Sequence, residues 1–465
     1  MKKYDIVIIG AGPGGYTAAI RAALKGAKVA VVEEDALGGV CLNRGCIPSK
    51  TLIAGANLYQ KMKSAASFGI TLECTPTIDW PAMLARKDKV VGGMVAGIKG
   101  LFKNYGVDHF SGFGSLKSSK VIHLDLDDES EEDIEAANVI IATGSRPAII
   151  PAFPLDGLNV LSSDHLLTME KLPSSMLIIG AGVIGCEWAF MLAQLDVKVE
   201  IVEMLSRSLP MEDAMASNII TRELKKLKVK LHTDSKVEKL ANTASGLIGA
   251  VLSDSKTLEA EKILVSIGRA FNTADLGLDN AGVTLNENGS IKVNAGMQTS
   301  AKNVYAIGDV AGGILLAYTA VAEGAVAVDN CLGAKAKIDY TGVPSVIFTR
   351  PEVASVGLTE EKAAEKHDIA IGSFPIRALG KAHAEGEISG EVKVIGDKKT
   401  DKLLGVHIVG PHATEVIHTA ALAIKTGLTV EKLGSLTFAH PVISESVMEA
   451  CHNLHKMSVH LPGQR

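Results

Sequence analysis

The sequence is poor in aromatic residues and has no excess of basic charge. Phe, Trp and Tyr together make up 4% of the 465 residues, whereas glycine occurs 46 times. This balance is typical of parallel-sheet domains in which bare backbone approaches a bound group. The formal net charge of -5 at pH 7 leaves no basic footprint for nucleic acid. We therefore expect no nucleic-acid partner.

Long apolar runs are also missing. No uninterrupted apolar stretch reaches the roughly 20 residues that cross a membrane. The N-terminus begins with two lysines and an apolar run, as a signal peptide does, but Asp5, four glycines and Arg21 interrupt that pattern. We expect a cytoplasmic protein that does not associate with a membrane.

The six cysteines are too few over this length for a secreted disulfide framework. Four of them are expected to be structural thiols, namely Cys74, Cys186, Cys331 and Cys451. The other two, Cys41 and Cys46, are separated by four residues, a spacing that suits a small redox-active disulfide ring. A bridge this short removes only roughly 2 kcal/mol of chain entropy. Its value would therefore be chemical.

Two other interpretations of Cys41 and Cys46 remain open. They could be free cysteines, or they could be half of a zinc site. No second Cys pair or His cluster follows at ligand spacing, so we predict no metal site.

The residues that follow Cys46 predict a helix. Pro48 is placed to begin it, and residues 49–65 would form its body. Cys46 would then lie beside the helix N-terminus, where the partial positive charge favours a thiolate. Lys50 adds a cation one turn further on.

A strand, a glycine-rich turn and a helix open the chain. Residues 4–9 are a β-rich apolar run, and they lead into GAGPGG, a helix to about residue 25 and a strand over residues 28–32. This is the GxGxxG turn in its βαβ context. Gly10 makes the turn, Gly12 lets a pyrophosphate approach the backbone, and Gly15 permits close helix packing. Glu33 closes the second strand, where it can accept hydrogen bonds from a ribose.

The same unit recurs in the middle of the chain. A strand over residues 177–179 precedes GAGVIG, and a helix to residue 195 leads to a strand over residues 198–202. The three glycines are Gly180, Gly182 and Gly185, and Glu203 follows them at the same interval as Glu33 follows Gly15. The sequence therefore predicts an internal repeat of one nucleotide-binding unit.

Two sites on one chain imply two dinucleotides, between which a hydride passes. One of the two dinucleotides should be a flavin, because the exchange of electrons with the disulfide needs chemistry that no side chain supplies. The redox-active stretch directly follows the first unit, so the first site is expected to hold FAD and the second NAD. Glu203 would accept from a ribose 2′-hydroxyl and repel a 2′-phosphate. Arg207 is the only nearby cation that argues for NADP.

Residues 437–445, TFAHPVISE, contain a candidate base. The residue before a proline is pushed to extended geometry, so His440 is expected just ahead of a helix that starts at Pro441. Glu445 would lie on the first turns and could hold one imidazole nitrogen while the other faces a substrate. The alternative is a structural histidine.

Residues 38–50, GGVCLNRGCIPSK, resemble the active-site segment of the pyridine nucleotide-disulphide oxidoreductases, and the similarity runs nearly end to end. The motif is most similar to that of family members that oxidise protein-bound dihydrolipoyl groups. This resemblance implies that electrons pass from such a group through a Cys41–Cys46 disulfide and FAD to NAD. It also implies a partner that carries lipoyl groups, from a 2-oxo acid dehydrogenase complex or a glycine cleavage system.

The resemblance also implies a role for each catalytic residue. Cys41 exchanges with the substrate dithiol, Cys46 faces the flavin, and His440 takes the substrate proton with Glu445 as its partner. Lys50 and Glu187 would form an ion pair near the flavin and the nicotinamide. The alternative for Glu187 is a solvated helix acid.

Three further segments resemble flavin-domain signatures of the family: residues 112–114, 142–145 and 304–309. In the family, the acid that matches Asp309 contacts the ribityl chain, and residues 315–318 line the flavin. The cofactor-contacting residues implied in this way are Gly114, Thr143, Gly144, Ser145, Val237, Gly268, Asp309, Leu315 and Ala317. The chain departs from the family at Tyr318 and Arg350, since histidine is common at both positions.

The fold class that follows is α/β, with two Rossmann-like dinucleotide-binding domains plus a C-terminal α+β dimerisation domain. Residues 1–148 and 271–342 are expected to form the FAD-binding domain with its central segment, residues 149–270 the NAD-binding domain, and residues 343–465 the dimerisation domain of a homodimer. Residues 147–154 are an expected linker, and residues 264–269 the return crossing. The acidic run at residues 125–135 is expected to be a solvated hairpin tip.

Several rival functions share these features. A glutathione-type reductase usually prefers NADPH and carries arginines where Glu203 stands, and a mercuric reductase carries paired cysteines at its C-terminus, which this sequence lacks. A flavin oxidase or a non-catalytic binding protein could use the same folds. An oxidase that turns over on oxygen would not need both Cys41 and Cys46.

Overall fold

The computed structural model describes residues 1–243 and 246–462. Within these ranges the strands are β1 (Lys2–Ile9), β2 (Val29–Glu33), β3 (Asp108–Leu116), β4 (Val121–Leu126), β5 (Glu131–Ile141), β6 (Ser145–Pro147), β7 (Val160–Leu161), β8 (Ser175–Ile179), β9 (Lys198–Val202), β10 (Lys230–His232), β11 (Val237–Asn242), β12 (Ile248–Leu252), β13 (Thr257–Ala260), β14 (Lys262–Val265), β15 (Arg269–Phe271), β16 (Val304–Ala306), β17 (Ser345–Ile347), β18 (Glu352–Gly357), β19 (Ile369–Pro375), β20 (Glu391–Asp397) and β21 (Leu403–Gly410).

The α-helices in the same ranges are α1 (Pro13–Leu24), α2 (Gly39–Arg44), α3 (Cys46–Lys63), α4 (Trp80–Tyr105), α5 (Ser163–Leu166), α6 (Val183–Gln194), α7 (Ala214–Lys226), α8 (Leu278–Ala281), α9 (Ala317–Cys331), α10 (Glu360–Ala364), α11 (Gly380–Glu385), α12 (Ala413–Lys425), α13 (Val430–Gly434) and α14 (Glu445–Leu454). Short 3-10 helices cover Ala65–Phe68, Gly308–Ala311 and Ile376–Ala378. None of the helices within the described residues is long and apolar enough to cross a membrane.

The first sheet is parallel at its centre. Strand β1 pairs with β2 on one side and with β5 on the other, β2 pairs with β3, and β5 pairs with β16, all in parallel. Strand β4 joins β3 and β5 by antiparallel pairing. Residues Ile6, Val7 and Ile8 of β1 have no exposed surface, because a parallel sheet is covered on both faces. This explains the continuous apolar run in the sequence.

The second sheet repeats this plan. Strand β8 lies between β9 and β14, with β10 and β7 at the two edges, and all five strands are parallel. An antiparallel meander of β11, β12 and β13 follows β10, as the meander of the first unit joins β3 to β5. The internal repeat predicted from the two glycine turns is therefore present as two copies of one β-helix-β unit.

The chain passes between the two units along two paired strands, which overlap the predicted crossings only at Pro147 and Arg269. Strand β6 pairs antiparallel with β15, with Ser145 opposite Phe271 and Pro147 opposite Arg269. The chain thus leaves the first unit and returns to it along one two-stranded ladder.

The last third of the chain, from about residue 343, is the third unit of the protein. It forms an antiparallel sheet in the order β17-β18-β21-β20-β19. Helices α12, α13 and α14 cover it, and together they bury an apolar cluster that includes Phe374, Ile408 and Ile417. The α+β prediction for this segment is confirmed.

The predicted acidic hairpin is present between β4 and β5. His123 lies within it, and its Nδ1 is 2.8 Å from Asp133. Its Nε2 is 3.3 Å from Asp125 and 3.7 Å from Glu131. These acids are thus already paired with a histidine.

Two helices begin elsewhere than the sequence predicts. Helix α3 begins at Cys46 rather than at Pro48. Gly45 separates it from α2, and Pro48 is accommodated in the first turn, where a backbone N–H would have no partner in the helix. Helix α14 begins at Glu445 rather than at Pro441, because the Val442 N–H donates to the Glu445 side chain at 3.0 Å and closes a separate turn.

The glycine turns of the two units show the same division of roles. A Cβ on Gly15 would lie 2.0 Å from the Gly10 oxygen, and one on Gly185 would lie 2.0 Å from the Gly180 oxygen. At Gly12 and Gly182, an added Cβ would meet no atom within 4 Å from any described residue beyond its immediate chain neighbours. The third glycine is therefore needed for packing, whereas the second leaves the backbone open.

This difference makes a stability prediction. Gly185→Ala should destabilise the protein by about 1–3 kcal/mol, because the methyl group must displace backbone. Gly182→Ala should change stability by less than about 0.5 kcal/mol, since Gly182 has φ -72° and open space. The measurement is the free energy of unfolding of both variants in urea. Equal losses of that free energy would show that close packing at Gly185 does not explain the need for glycine there.

Candidate active site

The two close cysteines lie on either side of a helix break. Cys41 is on α2, and Cys46 is the first residue of α3, with Gly45 between the two helices. Both are free cysteines, and the Cys41 thiol donates a hydrogen bond to the Cys46 sulfur. Among the described residues, no further Cys or His groups with these two at the distance of metal ligands.

The surroundings of Cys41 and Cys46 shift the pKa values of their thiols in opposite directions. The hydrogen bond from Cys41 lowers the pKa of Cys46 to about 7, with help from the Lys50 charge and against the effect of burial. The same hydrogen bond, together with burial, raises the pKa of Cys41. Of the two thiols, Cys46 is therefore the one that ionises first as the pH rises through neutrality.

The predicted Lys50–Glu187 ion pair is present. Lys50 Nζ lies 2.7 Å from Glu187 Oε2, and the Phe348 N–H donates to Glu187 Oε1 at 2.9 Å. Lys50 Nζ also lies 4.8 Å from the centre of the Phe348 ring. Glu187 is 6% exposed, so the alternative of a solvated helix acid is wrong. Sequence reasoning missed Phe348, which carried no local signal.

The two acids that follow the glycine turns occupy equivalent positions. Glu33 accepts from the Ala11 N–H at 2.6 Å and from the Asp35 N–H at 3.0 Å. Glu203 accepts from the Ala181 N–H at 2.7 Å and from the Leu205 N–H at 2.8 Å. Each carboxylate is thus fixed against its own glycine turn, and burial raises the pKa of Glu33.

Helices α1 and α6 start at these turns. Neither has a side-chain cap at its N-terminus or an acid in its first turn, within the part of the chain that the structure describes. Their N–H groups and the open backbone at Gly12 and Gly182 fit the pyrophosphate of a dinucleotide.

Three distant segments meet beside the first glycine turn. Ser145 donates a short hydrogen bond to Asp309, and Arg269 Nε donates to Ser145 Oγ at 2.6 Å. Arg269 is also 3.6 Å from Asp309, and Thr143 donates to the Asn272 carbonyl at 2.7 Å. Asp309 is therefore held by two side chains, Ser145 and Arg269. Arg269 is a second residue that sequence reasoning missed, although it ends the predicted return crossing.

The remaining predicted cofactor residues are spread around these features. A Cβ on Gly114 would lie 3.1 Å from Val32, and Gly268 has φ +131°. Leu315 is exposed just before α9, which begins at Ala317. Gly144 has φ +71°. Val237 is 4% exposed and packs in the core of the second unit, so its side chain is not accessible to a ligand.

Tyr318 and Arg350, the two residues that replace a histidine common in the resembled family, each make a specific contact. The Tyr318 hydroxyl donates to the Pro344 carbonyl at 2.5 Å, and burial raises the pKa of Tyr318 to about 12. Arg350 lies 3.3 Å from Glu387 and donates to the Asn57 carbonyl on α3 at 3.4 Å. Arg350 therefore ties the third unit to the helix that begins at Cys46.

His440 and Glu445 form the predicted pair, with Nδ1 2.9 Å from Oε1. Because a carboxylate only accepts, Nδ1 carries the proton and Nε2 can accept one. Burial opposes ionisation of Glu445, but the hydrogen bonds from His440 and Val442 hold its pKa below the usual range. The His440 side chain is 78% exposed. No hydrogen bond joins it to Cys41 or Cys46 within the described residues of this subunit.

Family models match most of the chain. The pyridine nucleotide-disulphide oxidoreductase model matches residues 4–324, and the model of that family's dimerisation domain matches residues 343–451.

Similar proteins span the same length. Dihydrolipoyl dehydrogenase of Bacillus subtilis (strain 168) is 42% identical, over 96% of this chain and 97% of that protein. The enzyme of the same name from Thermus scotoductus is 42% identical over 99% of both chains. Among solved structures, LpdA from Mycobacterium tuberculosis has a TM-score of 0.91 at 30% identity, over 98% of this chain and all of that one. The HOCl-induced flavoprotein disulfide reductase RclA from Escherichia coli has a TM-score of 0.85 at 29% identity, over 96% and 98%.

The acidity of Cys46 makes a testable prediction. Alkylation of Cys46 in the reduced protein should have its midpoint near pH 7. Lys50→Gln removes the neighbouring cation, so the pKa of Cys46 should rise by about one unit and labelling at pH 7 should fall several-fold. The measurement is the rate of iodoacetamide labelling against pH, read by peptide mass spectrometry.

Lys61→Gln is the matched control for this measurement. Lys61 lies on the same helix α3, but it is exposed and pairs with Glu387, so its loss should leave the midpoint unchanged. A midpoint that does not move in Lys50→Gln would show that Lys50 does not set the acidity of Cys46.

Proposed function

The chain belongs to the pyridine nucleotide-disulphide oxidoreductase family, and from that membership we propose that it catalyses the dihydrolipoyl dehydrogenase reaction. In this reaction a protein-bound dihydrolipoyl group is oxidised to the lipoyl disulfide and NAD is reduced to NADH. The observation that carries the proposal is the pair Cys41 and Cys46 at the start of α3, beside Lys50. Full-length relatives that are about 40% identical and carry this name support it.

Cys41 and Cys46 would act by thiol-disulfide exchange. A substrate thiolate attacks the Cys41 sulfur of the oxidised pair, the bond between the two protein sulfurs breaks, and Cys46 leaves as a thiolate. Its lowered pKa makes it a good leaving group. The second substrate thiol gives its proton to His440 and attacks the substrate sulfur bound to Cys41. The lipoyl disulfide closes, and Cys41 leaves as a thiolate that takes the proton back from His440.

His440 and Glu445 would serve as base and orienting partner. Glu445 fixes the tautomer in which Nε2 accepts the substrate proton. The exposure of His440 within one subunit fits a site that a second subunit completes. The chain carries the family's dimerisation domain and forms a homodimer.

The residues present fit the two cofactors of the family, FAD and NAD. FAD would be held by the first glycine turn, Glu33 and the cluster of Ser145 and Asp309. When bound, FAD accepts the electron pair of the reduced cysteines and passes a hydride to NAD. NAD would be held by the second glycine turn and Glu203.

Lys50 and Glu187 would lie between the two cofactors. Their contact joins α3 of the first unit to α6 of the second, so the pair would fix the distance between the two cofactor sites.

The proposal extends to the division of the chain. The FAD-binding domain would comprise residues 1–148 and 271–342, the NAD-binding domain residues 149–270 and the dimerisation domain residues 343–465. The macromolecular partner would be a lipoyl-bearing protein of a 2-oxo acid dehydrogenase complex or a glycine cleavage system. The proposed location is the cytoplasm, because the four cysteines outside the pair of Cys41 and Cys46 form no disulfide framework of the kind that secreted proteins carry.

The test is anaerobic reduction of the purified flavoprotein. Dihydrolipoamide should reduce it and support NAD turnover, whereas reduced glutathione and NADPH should be poor reductants. Cys41→Ser and Cys46→Ser should each abolish lipoamide turnover and still bind FAD, because the cysteines relay electrons without holding the cofactor. Cys74→Ser, at an exposed free cysteine, is the control and should retain activity. Preferential reduction by glutathione would replace the proposal with a glutathione-type reductase.

A mixed dimer tests the shared site. His440→Gln alone should lower turnover roughly 10²- to 10⁴-fold, the usual effect of losing a general base. In a dimer of one Cys41→Ser subunit and one His440→Gln subunit, one site collects both defects and the other is intact. About half of normal activity should return in dehydrogenase assays of the purified mixed dimer. An inactive mixed dimer would mean that each subunit uses its own histidine.

A further inference from the structure

The loop after strand β9 is anchored on the third unit of the protein. Glu212 accepts from Ser345 at 2.8 Å and from Ser355 at 2.6 Å. Asp213 accepts from Lys393 at 2.7 Å and from the Glu360 N–H at 3.0 Å. The end of this loop is therefore held by residues more than a hundred positions away.

The start of the loop is held by the second glycine turn. Glu203 binds the Ala181 N–H and the Leu205 N–H, and the Leu209 N–H donates to the Ala181 carbonyl at 2.8 Å. Both Leu205 and Leu209 are thus tied, directly or through Glu203, to Ala181. Arg207 lies midway between them, so its long side chain starts beside the proposed ribose site.

Arg207 is the only cation in the loop of residues 203–213, and its guanidinium is turned towards the third unit. Nη1 lies 2.7 Å from Glu361 Oε1, and Nη2 lies 3.0 Å from Glu361 Oε2. Nη2 also donates to the carbonyls of Pro210 and Glu212, at 3.4 Å and 3.3 Å. This two-pronged carboxylate contact has the geometry that arginine also uses for phosphate.

We propose that Glu361 determines nucleotide specificity, because it holds the Arg207 guanidinium away from the position of a 2′-phosphate. Glu203 repels that phosphate directly, whereas Glu361 acts through Arg207 and is a positioning residue. Selection of NAD over NADP is then shared between the nucleotide-binding unit and the dimerisation domain, which carries Glu361 on α10. This inference rests on the proposed NAD site.

The test compares NAD and NADP in the full-length flavoprotein. Glu361→Gln should leave the kcat/KM for NAD within about twofold and raise that for NADP about three- to tenfold, since the guanidinium, then held only by two long contacts to backbone carbonyls, can turn to a bidentate phosphate contact. Arg207→Gln in the Glu361→Gln background should remove the gain. Glu365→Gln is the matched control, because it takes the same charge from just beyond α10 at an exposed residue and should not change the ratio.

Binding without turnover gives an independent readout. Calorimetry with ADP-ribose and 2′-phospho-ADP-ribose should show that Glu361→Gln strengthens binding of the second probe alone. An unchanged ratio of the two affinities, a gain that survives Arg207→Gln, or an equal gain in Glu365→Gln would overturn the inference. Failure of the parent protein to bind ADP-ribose at all would instead refute the proposed nucleotide site.

Discussion

The arrangement of the three units depends on the buried carboxylate of Glu187. A charge with so little exposure is stable only when each oxygen has a partner, and here the partners come from two other units. Lys50 belongs to the helix that begins at Cys46, and the Phe348 N–H belongs to the antiparallel sheet. The Lys50 side chain keeps 29% of its surface exposed, so removing one partner should cost less than the about 3–5 kcal/mol of a fully buried pair. The contact therefore fixes the first helix turn, the second glycine unit and the third unit relative to one another.

That constraint also governs the chemistry of the thiols. Lys50 can act on Cys46 only while its ammonium group is held in place, and Glu187 and the Phe348 ring hold it. Glu187 itself works in the opposite direction and raises the pKa of Cys46, but it contributes less than Cys41 and Lys50. The acidity of one sulfur thus depends on residues from three parts of the chain.

Sequence reasoning succeeded where the signal is local. The glycine turns predicted α1, β2, α6 and β9 because only glycine fits at Gly15 and Gly185, and the pairing of His440 with Glu445 follows from their short spacing. It failed where competing local contacts decide the outcome, as at the starts of α3 and α14. Phe348, Arg269 and Glu361 were missed because each meets its partner across more than a hundred residues. Such contacts leave no pattern in a single sequence.

The ladder of β6 and β15 has a consequence for synthesis of the chain. Strand β5 ends at Ile141, but β16, which completes the first sheet, begins only at Val304. At roughly 5–20 residues per second, the ribosome needs on the order of 10 to 30 s to make the chain between them. The strands of the second sheet are all available before β16 emerges, so during translation residues 139–141 of β5 lack their β16 partner while the inserted unit already has every strand it needs.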